Sequence, residues 1–134
     1  MTPKETITYR GDSRDPNTIF NEGFQPWGDS NDLFKHASDN TSPPSNFIST
    51  SKSPEVAAEF GSQLYTESGY VYAIRSNNGI DVNSALGKAT PFPRELEVAI
   101  PRGVKPENVL GVTPVNADGT FGNYSILNPK HYGW

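Results

Sequence analysis

The chain has 134 residues, of which 12 are Gly, 12 are Pro and none is Cys, and its formal net charge is −4. The absence of cysteine excludes a disulfide framework, a cysteine-ligated zinc site and a thiol nucleophile. The many Gly and Pro residues argue against a helical bundle, because both residues are costly inside helices. The length fits one domain over residues 1–134, and 7 Phe, 6 Tyr and 2 Trp residues can supply its core.

The sequence contains no pattern typical of a membrane span, a signal peptide or a metal site. No apolar stretch approaches the ~18 residues of a membrane span, and the start of the chain, MTPKETITYRGD, lacks the apolar region of a signal peptide. The two histidines, His36 and His131, lie far apart and have no metal-ligand spacing, so we expect no metal. The net negative charge and the absence of a basic run disfavour a nucleic-acid partner.

The first elements alternate between strand and helix signals. Thr6–Tyr9 is β-branched and aromatic, which predicts a first strand. A helix with the sequence PNTIFNE follows, capped by Asp15 and ended by Gly23. The stretch Gly28–Ser45 is polar and rich in Pro, so we predict a surface loop with one helical turn at Leu33–Phe34.

The rest of the chain is biased towards strands. A second helix begins after Ser53 and runs to about Phe60, and Asp118–Gly119 predicts a tight turn. Six further strands are predicted, at Asn46–Ser51, Tyr70–Arg75, Ile80–Val82, Glu95–Ile100, Val109–Val115 and Tyr124–Leu127.

Three motifs occur at strand ends. Arg10 follows the first strand, Ser-Thr-Ser at 49–51 ends the next one before a helix, and Glu95-x-Glu97 opens a later one. Alternation along a strand predicts that the two carboxylates project from the same side. Each motif alone has an ordinary explanation: the Arg is typical of a surface charge, Ser-Thr-Ser of a helix cap, and the Glu pair of a solvent-facing strand. All three motifs in this order are much less common by chance and point to a functional site.

Together these motifs resemble those of the cholera- and pertussis-toxin-like mono-ADP-ribosyltransferases. The block YRGDSRDPNTIFNEGFQPWG is especially similar to the pertussis branch, and the similarity continues through Trp27 to His36. The resemblance implies an α+β fold, namely a split β-sandwich of two mainly antiparallel sheets around an NAD cleft, with a few short helices.

The resemblance also implies roles for the charged residues. Arg10 would clamp the pyrophosphate of NAD, which suits the forked donors of a guanidinium. Glu97 would be the catalytic carboxylate that stabilises the positively charged ribose left when nicotinamide departs. Glu95 would orient and deprotonate the acceptor; in this family Glu at that position accompanies arginine acceptors and Gln accompanies others.

The resemblance implies supporting roles for the other matched residues. Ser49 would hydrogen-bond the catalytic carboxylate, and Thr50 and Ser51 would brace the strand below the NAD site. The resemblance places His36 at the acceptor or the ribose, although a His in a polar loop is ordinarily solvated. Trp27 would stack on a ring of the ligand, with a packing role as the alternative.

The main hypothesis is an arginine-specific mono-ADP-ribosyltransferase toxin that uses NAD as cosubstrate and needs no metal. Three alternatives stay open: an NAD glycohydrolase, a nucleic-acid-modifying enzyme on the same fold, and an inactive binding module. A glycosidase is disfavoured, because carboxylates on one side of a strand do not bracket a bond from opposite faces. We expect a catalytic tip of a larger bacterial effector that acts in the target-cell cytoplasm, with an immunity protein as partner if the effector is interbacterial.

Overall fold

A computed structural model describes residues 5–38, 44–63 and 66–132, so part of the predicted loop, residues 39–43, lies outside the described residues. The strands are β1 (Thr6–Asp12), β2 (Phe47–Ser51), β3 (Gly69–Ser76), β4 (Ile80–Asp81), β5 (Glu97–Pro101), β6 (Val109–Val115) and β7 (Ile126–Leu127). The α-helices are α1 (Pro16–Glu22), α2 (Leu33–Ser38), α3 (Pro54–Gly61), α4 (Val82–Leu86) and α5 (Pro129–Tyr132).

The strands form a seven-stranded antiparallel sheet in the order β4-β5-β2-β1-β3-β6-β7, which confirms the predicted α+β class. β1 pairs with β3 along its whole length, from Thr6 to Asp12, and so extends past the predicted end at Tyr9. Its pairing with β2 is limited to Tyr9 opposite Ser51. The two predicted sheets are therefore the two halves of one sheet that splits between β1 and β2.

Apolar side chains bury both faces of this sheet. On β3, Tyr72 and Ile74 face α1 while Val71 faces α3, as the strand alternation requires. The cluster under α1 contains Ile19, Phe20, Phe24, Ile48, Tyr72, Ile74, Ile100, Val104, Val109 and Val112. Smaller clusters lie under α3 (Ala57, Ala58, Val71 and Val115) and beside α2 (Phe47, Val82 and Ala99).

α2 replaces the single turn that was predicted within a surface loop. The helix begins after Asp32, whose side chain accepts a hydrogen bond from the Lys35 N–H at 3.0 Å. Leu33 and Ala37 pack against the cluster of Phe47, Val82 and Ala99. This packing turns one face of α2 inward, and the face carries His36.

α4 was not predicted, although the sequence contains its cap. The Asp81 side chain accepts the Ser84 N–H at 3.1 Å, and Gly87 ends the helix with a positive φ of 56°. β7 is shorter than the predicted Tyr124–Leu127. None of the helices in the described residues is long and apolar enough to cross a membrane.

Replacing Gly11 with alanine is expected to destabilise the fold, because α3 packs directly on the backbone of β1. A Cβ at Gly11 would lie 2.0 Å from the Ala57 carbonyl oxygen and 2.3 Å from the Gly61 nitrogen. We expect a loss of about 3 kcal/mol in the free energy of unfolding, measured by urea denaturation. The control is Gly87→Ala, whose Cβ would meet nothing within 4 Å and whose positive φ costs about 1 kcal/mol. Equal losses in the two variants would contradict this packing.

Candidate active site

A cleft of about 670 Å³ opens where β1 and β2 separate. Its walls come from the end of β1, the end of β2, α2, α3 and the turn before β5. Seven of the eight predicted site residues line it: Arg10, His36, Ser49, Thr50, Ser51, Glu95 and Glu97. The eighth, Trp27, is not among the lining residues and is 69 % exposed.

Glu97 opens β5 and is 8 % exposed. The Ser49 hydroxyl donates a hydrogen bond to its Oε2 at 2.9 Å, and Nε2 of His36 lies 2.8 Å from the same oxygen. Ser49 reaches this carboxylate because β2 and β5 are adjacent antiparallel strands. Both contacts end on Oε2, which leaves Oε1 with no hydrogen-bond partner among the described residues.

His36 is buried, contrary to the solvated position that its polar surroundings in the sequence suggest. Its ring lies 5.2 Å from the ring of Phe47, between α2 and β2. Nδ1 is 2.6 Å from the hydroxyl oxygen of Ser45, a residue that the sequence motifs did not single out. Both ring nitrogens of His36 are therefore engaged by protein groups.

Arg10 spans the split in the sheet. Its Nη1 donates to the Ser49 carbonyl oxygen at 2.9 Å, across the position where the β1–β2 ladder has ended. Its guanidinium carbon lies 5.3 Å from the centre of the Phe24 ring. Burial lowers the pKa of Arg10 despite the neighbouring Asp12 carboxylate, yet a guanidinium remains charged at any ordinary pH.

Asp12 lines the cleft and pairs with both Arg10 and Arg14, although it was not among the predicted site residues. It accepts hydrogen bonds from Nε and Nη2 of Arg14 at 2.9 and 2.7 Å, and its Oδ2 lies 3.4 Å from Nε of Arg10. Burial raises the pKa of Asp12, but the hydrogen bonds from Arg14 and the charge of Arg10 outweigh it and hold the pKa below its ordinary value. The Arg-x-Asp-x-Arg spacing across the end of β1 was the available signal.

Glu95 does not share a strand with Glu97, so the predicted common strand face is wrong. Glu95 ends a 3₁₀ turn at Pro93–Glu95, and Leu96 follows with a left-handed φ of 48°. The Ser51 hydroxyl donates to the Glu95 carbonyl oxygen at 2.7 Å and so ties this turn to β2. Both carboxylates nevertheless line the cleft, because the turn folds back over it.

Thr50 supports the cleft from within the sheet. Its hydroxyl donates to the Val98 carbonyl oxygen at 2.7 Å, and the residue is 4 % exposed. The bond joins β2 to β5 at Val98, the residue that follows Glu97. Thr50 therefore holds the two strands together, as a bracing residue would.

Replacing Glu95 with glutamine is expected to stabilise the fold at neutral pH. Burial, followed by the charges of Glu97 and Glu59, raises the pKa of Glu95. A carboxyl whose pKa is raised in the folded state favours folding at low pH, and this contribution is lost as pH rises through the raised pKa. We therefore expect the Glu95→Gln variant to have the higher melting temperature at pH 7. The difference in melting temperature between the variant and the wild-type protein should vanish below about pH 4. A variant that melts at a lower temperature than the wild-type protein at pH 7 would contradict this prediction.

The cleft combines an anion clamp with a fixed negative charge. Arg10 supplies a guanidinium group on the β1 side, and Glu97 supplies a carboxylate on the β5 side. Such a site can hold a phosphate-bearing ligand and stabilise positive charge that develops beside the carboxylate. Within the described residues, no group of three or more His, Asp and Glu side chains is placed to hold a metal ion.

Known proteins have the same fold and are similar in sequence. The chain matches the family described as Scabin-like over residues 8–132. A guanine-specific ADP-ribosyl transferase of Streptomyces coelicolor is 34 % identical over 111 residues, which cover 81 % of this chain and 51 % of that protein. The NAD(+)–arginine ADP-ribosyltransferase Chelt of Vibrio cholerae is 34 % identical over 127 residues, covering 81 % of this chain and 21 % of Chelt.

A solved structure agrees with the sequence comparisons. The Scabin toxin from Streptomyces scabies, in complex with NADH, is 30 % identical, with a TM-score of 0.78 over 96 % of this chain and 79 % of Scabin. The chain spans about half the length of the Streptomyces coelicolor relative. Because the family match extends over most of its residues, the chain belongs to the Scabin-like family of ADP-ribosyltransferases.

Proposed function

We propose that this chain transfers ADP-ribose from NAD to an acceptor and releases nicotinamide, as the catalytic domain of a toxin. One observation carries the proposal: the buried carboxylate of Glu97, held by Ser49 and His36, lies in the same cleft as Arg10. The NADH bound to the related Scabin toxin supports NAD as cosubstrate. Delivery within a larger effector, action in a target-cell cytoplasm and binding by an immunity protein stay predictions.

Arg10 binds the pyrophosphate in this proposal. Its Nη1 is held by the Ser49 carbonyl and its Nε lies near Asp12, so the guanidinium plane is fixed before the ligand arrives. A fixed guanidinium donates to two phosphate oxygens with little loss of side-chain freedom.

Glu97 stabilises the ribose as the bond to nicotinamide breaks. The leaving group takes the bonding electrons, and positive charge develops on the ribose. A buried, pre-oriented carboxylate stabilises that charge without reorganising. Oε1 of Glu97, which has no partner in the described part of the chain, is available to accept a hydrogen bond from a ribose hydroxyl, while Ser49 and His36 hold Oε2.

Glu95 selects the acceptor, and its identity favours an arginine side chain. A carboxylate pairs with a guanidinium through two parallel hydrogen bonds and can take the proton that the attacking nitrogen loses. The raised pKa of Glu95 brings this carboxyl closer to the range of a general base at neutral pH. Chelt, an arginine ADP-ribosyltransferase, is a relative with this acceptor.

A guanine base is the second candidate, favoured by the guanine-specific relative from Streptomyces coelicolor. Guanine contains the same N–C–N unit as arginine, because its ring N–H and exocyclic amine form a pair of adjacent donors. The carboxylate of Glu95 can accept from both. The net charge of −4 argues against long nucleic-acid strands more than against a free nucleotide.

One experiment separates the acceptors. The purified protein is incubated with NAD and either an arginine-containing peptide or GDP, and the products are identified by mass spectrometry. We expect ADP-ribosylated peptide, and we expect Glu95→Gln to lower peptide transfer more than it lowers NAD hydrolysis. Modified GDP without modified peptide would overturn the arginine assignment. Free ADP-ribose alone would identify an NAD glycohydrolase.

A further inference from the structure

The hydrogen-bond pattern around His36 fixes where its proton lies. The imidazole side chain is 0 % exposed, so protein groups must satisfy both ring nitrogens. Nε2 lies 2.8 Å from Oε2 of Glu97 and 2.9 Å from the Ser49 hydroxyl oxygen. The Ser49 proton is committed to Oε2, and a carboxylate can only accept. Nε2 must therefore carry a hydrogen.

The other nitrogen faces Ser45, whose hydroxyl is itself oriented by the backbone. The Phe47 N–H donates to the Ser45 oxygen at 2.9 Å, and His36 Nδ1 lies 2.6 Å from that oxygen. The hydroxyl has one proton, and Nδ1 is its partner among the described residues. If Nδ1 also carried a hydrogen, the proton of the buried Ser45 hydroxyl would have no acceptor in the described part of the chain.

We infer that Ser45 is a positioning residue that locks His36 in the neutral tautomer with its hydrogen on Nε2. The bonds then run in one direction, from the Phe47 N–H through Ser45 and His36 to the carboxylate of Glu97. The only basic nitrogen of His36 is buried against Ser45 and cannot take a proton from the cleft. His36 therefore holds Glu97 as a donor, and removal of the acceptor proton falls to Glu95.

The second histidine, His131, has the opposite tautomer to His36 and therefore serves as an internal reference. Its Nδ1 lies 2.8 Å from the Glu107 backbone carbonyl oxygen, which can only accept, so Nδ1 carries the hydrogen. The chain contains these two histidines and no others, so each ring signal can be assigned with one substitution.

Long-range proton–nitrogen correlation spectra of the ¹⁵N-labelled full chain at about pH 8 test the inference directly. We expect His36 to show a protonated Nε2 and a bare Nδ1, and His131 to show the reverse. The His131→Gln variant assigns the signals and should leave turnover unchanged. A hydrogen on Nδ1 of His36 in the wild-type protein would overturn the inference, and this result does not depend on how any variant folds.

Variants of Ser45 test the consequence for turnover, which is the part that rests on the proposed function. Ser45→Ala should mix the two His36 tautomers and lower kcat for nicotinamide release roughly tenfold, with KM for NAD within about twofold of wild type. Ser45→Thr, which retains the hydroxyl, should restore both readouts. An unchanged tautomer and unchanged kcat in Ser45→Ala would contradict the inference. If the wild-type chain releases no nicotinamide, the proposed function fails while the spectra still report the tautomer.

Discussion

Replacing Glu97 with glutamine is expected to lower the rate of nicotinamide release by about 10²–10³-fold while the protein stays folded. The amide has nearly the same shape as the carboxylate but carries no charge to stabilise the ribose. The amide oxygen can take the place of Oε2 and accept from Ser49 and His36, which puts the NH₂ group at the position of Oε1, where it cannot accept from a ribose hydroxyl. Initial rates of nicotinamide release from NAD, together with the melting temperature, measure the two effects separately.

The matched control for this variant is Glu107→Gln. Glu107 is exposed, lies outside the cleft and loses the same charge when replaced. Its rate should stay within about twofold of the wild-type value, as for surface changes away from the site. A Glu97→Gln variant that kept the wild-type rate would remove Glu97 from the chemistry.

Replacing Arg10 with lysine is expected to raise KM for NAD by roughly 10–100-fold, the equivalent of one or two charge-assisted hydrogen bonds. Lysine keeps the positive charge but lacks the planar fork that contacts the Ser49 carbonyl and lies over the Phe24 ring. The charge alone therefore does not replace the clamp. Steady-state kinetics over a range of NAD concentrations give KM and kcat.

Arg75→Lys serves as the control for Arg10. Arg75 is exposed at the far end of β3, where it pairs with Glu5. Its replacement should leave KM for NAD unchanged. If Arg10→Lys and Arg75→Lys bound NAD equally well, Arg10 would have no part in holding the dinucleotide.

The contact between Ser49 and Glu97 was expected from the family resemblance, and the pairing of β2 with β5 explains how it forms. Ser49 and Glu97 each lie at strand positions that the sequence marks, and adjacent antiparallel strands bring such positions together. Arg10 was marked by its place at the end of the first strand. Its bond to the Ser49 carbonyl was not predictable, since it depends on where the β1–β2 ladder stops.

Other features depend on tertiary packing that local patterns do not encode. The alternation at Glu95–Ile100 resembles a strand, but the left-handed Leu96 separates Glu95 from the strand that begins at Glu97. The burial of His36 requires α2 to pack against residues from distant elements. Sequence context alone therefore placed His36 in solvent, and the family resemblance drew attention to it.

The central claim is that the cleft between β1 and β2 breaks the bond between nicotinamide and ribose in NAD. The most direct measurement is the release of free nicotinamide by the purified chain, with an arginine-containing peptide and GDP supplied in separate reactions. We predict release that is proportional to enzyme concentration and that falls by about 10²–10³-fold in the Glu97→Gln variant. An absence of nicotinamide release by the folded wild-type protein with either acceptor would contradict the claim.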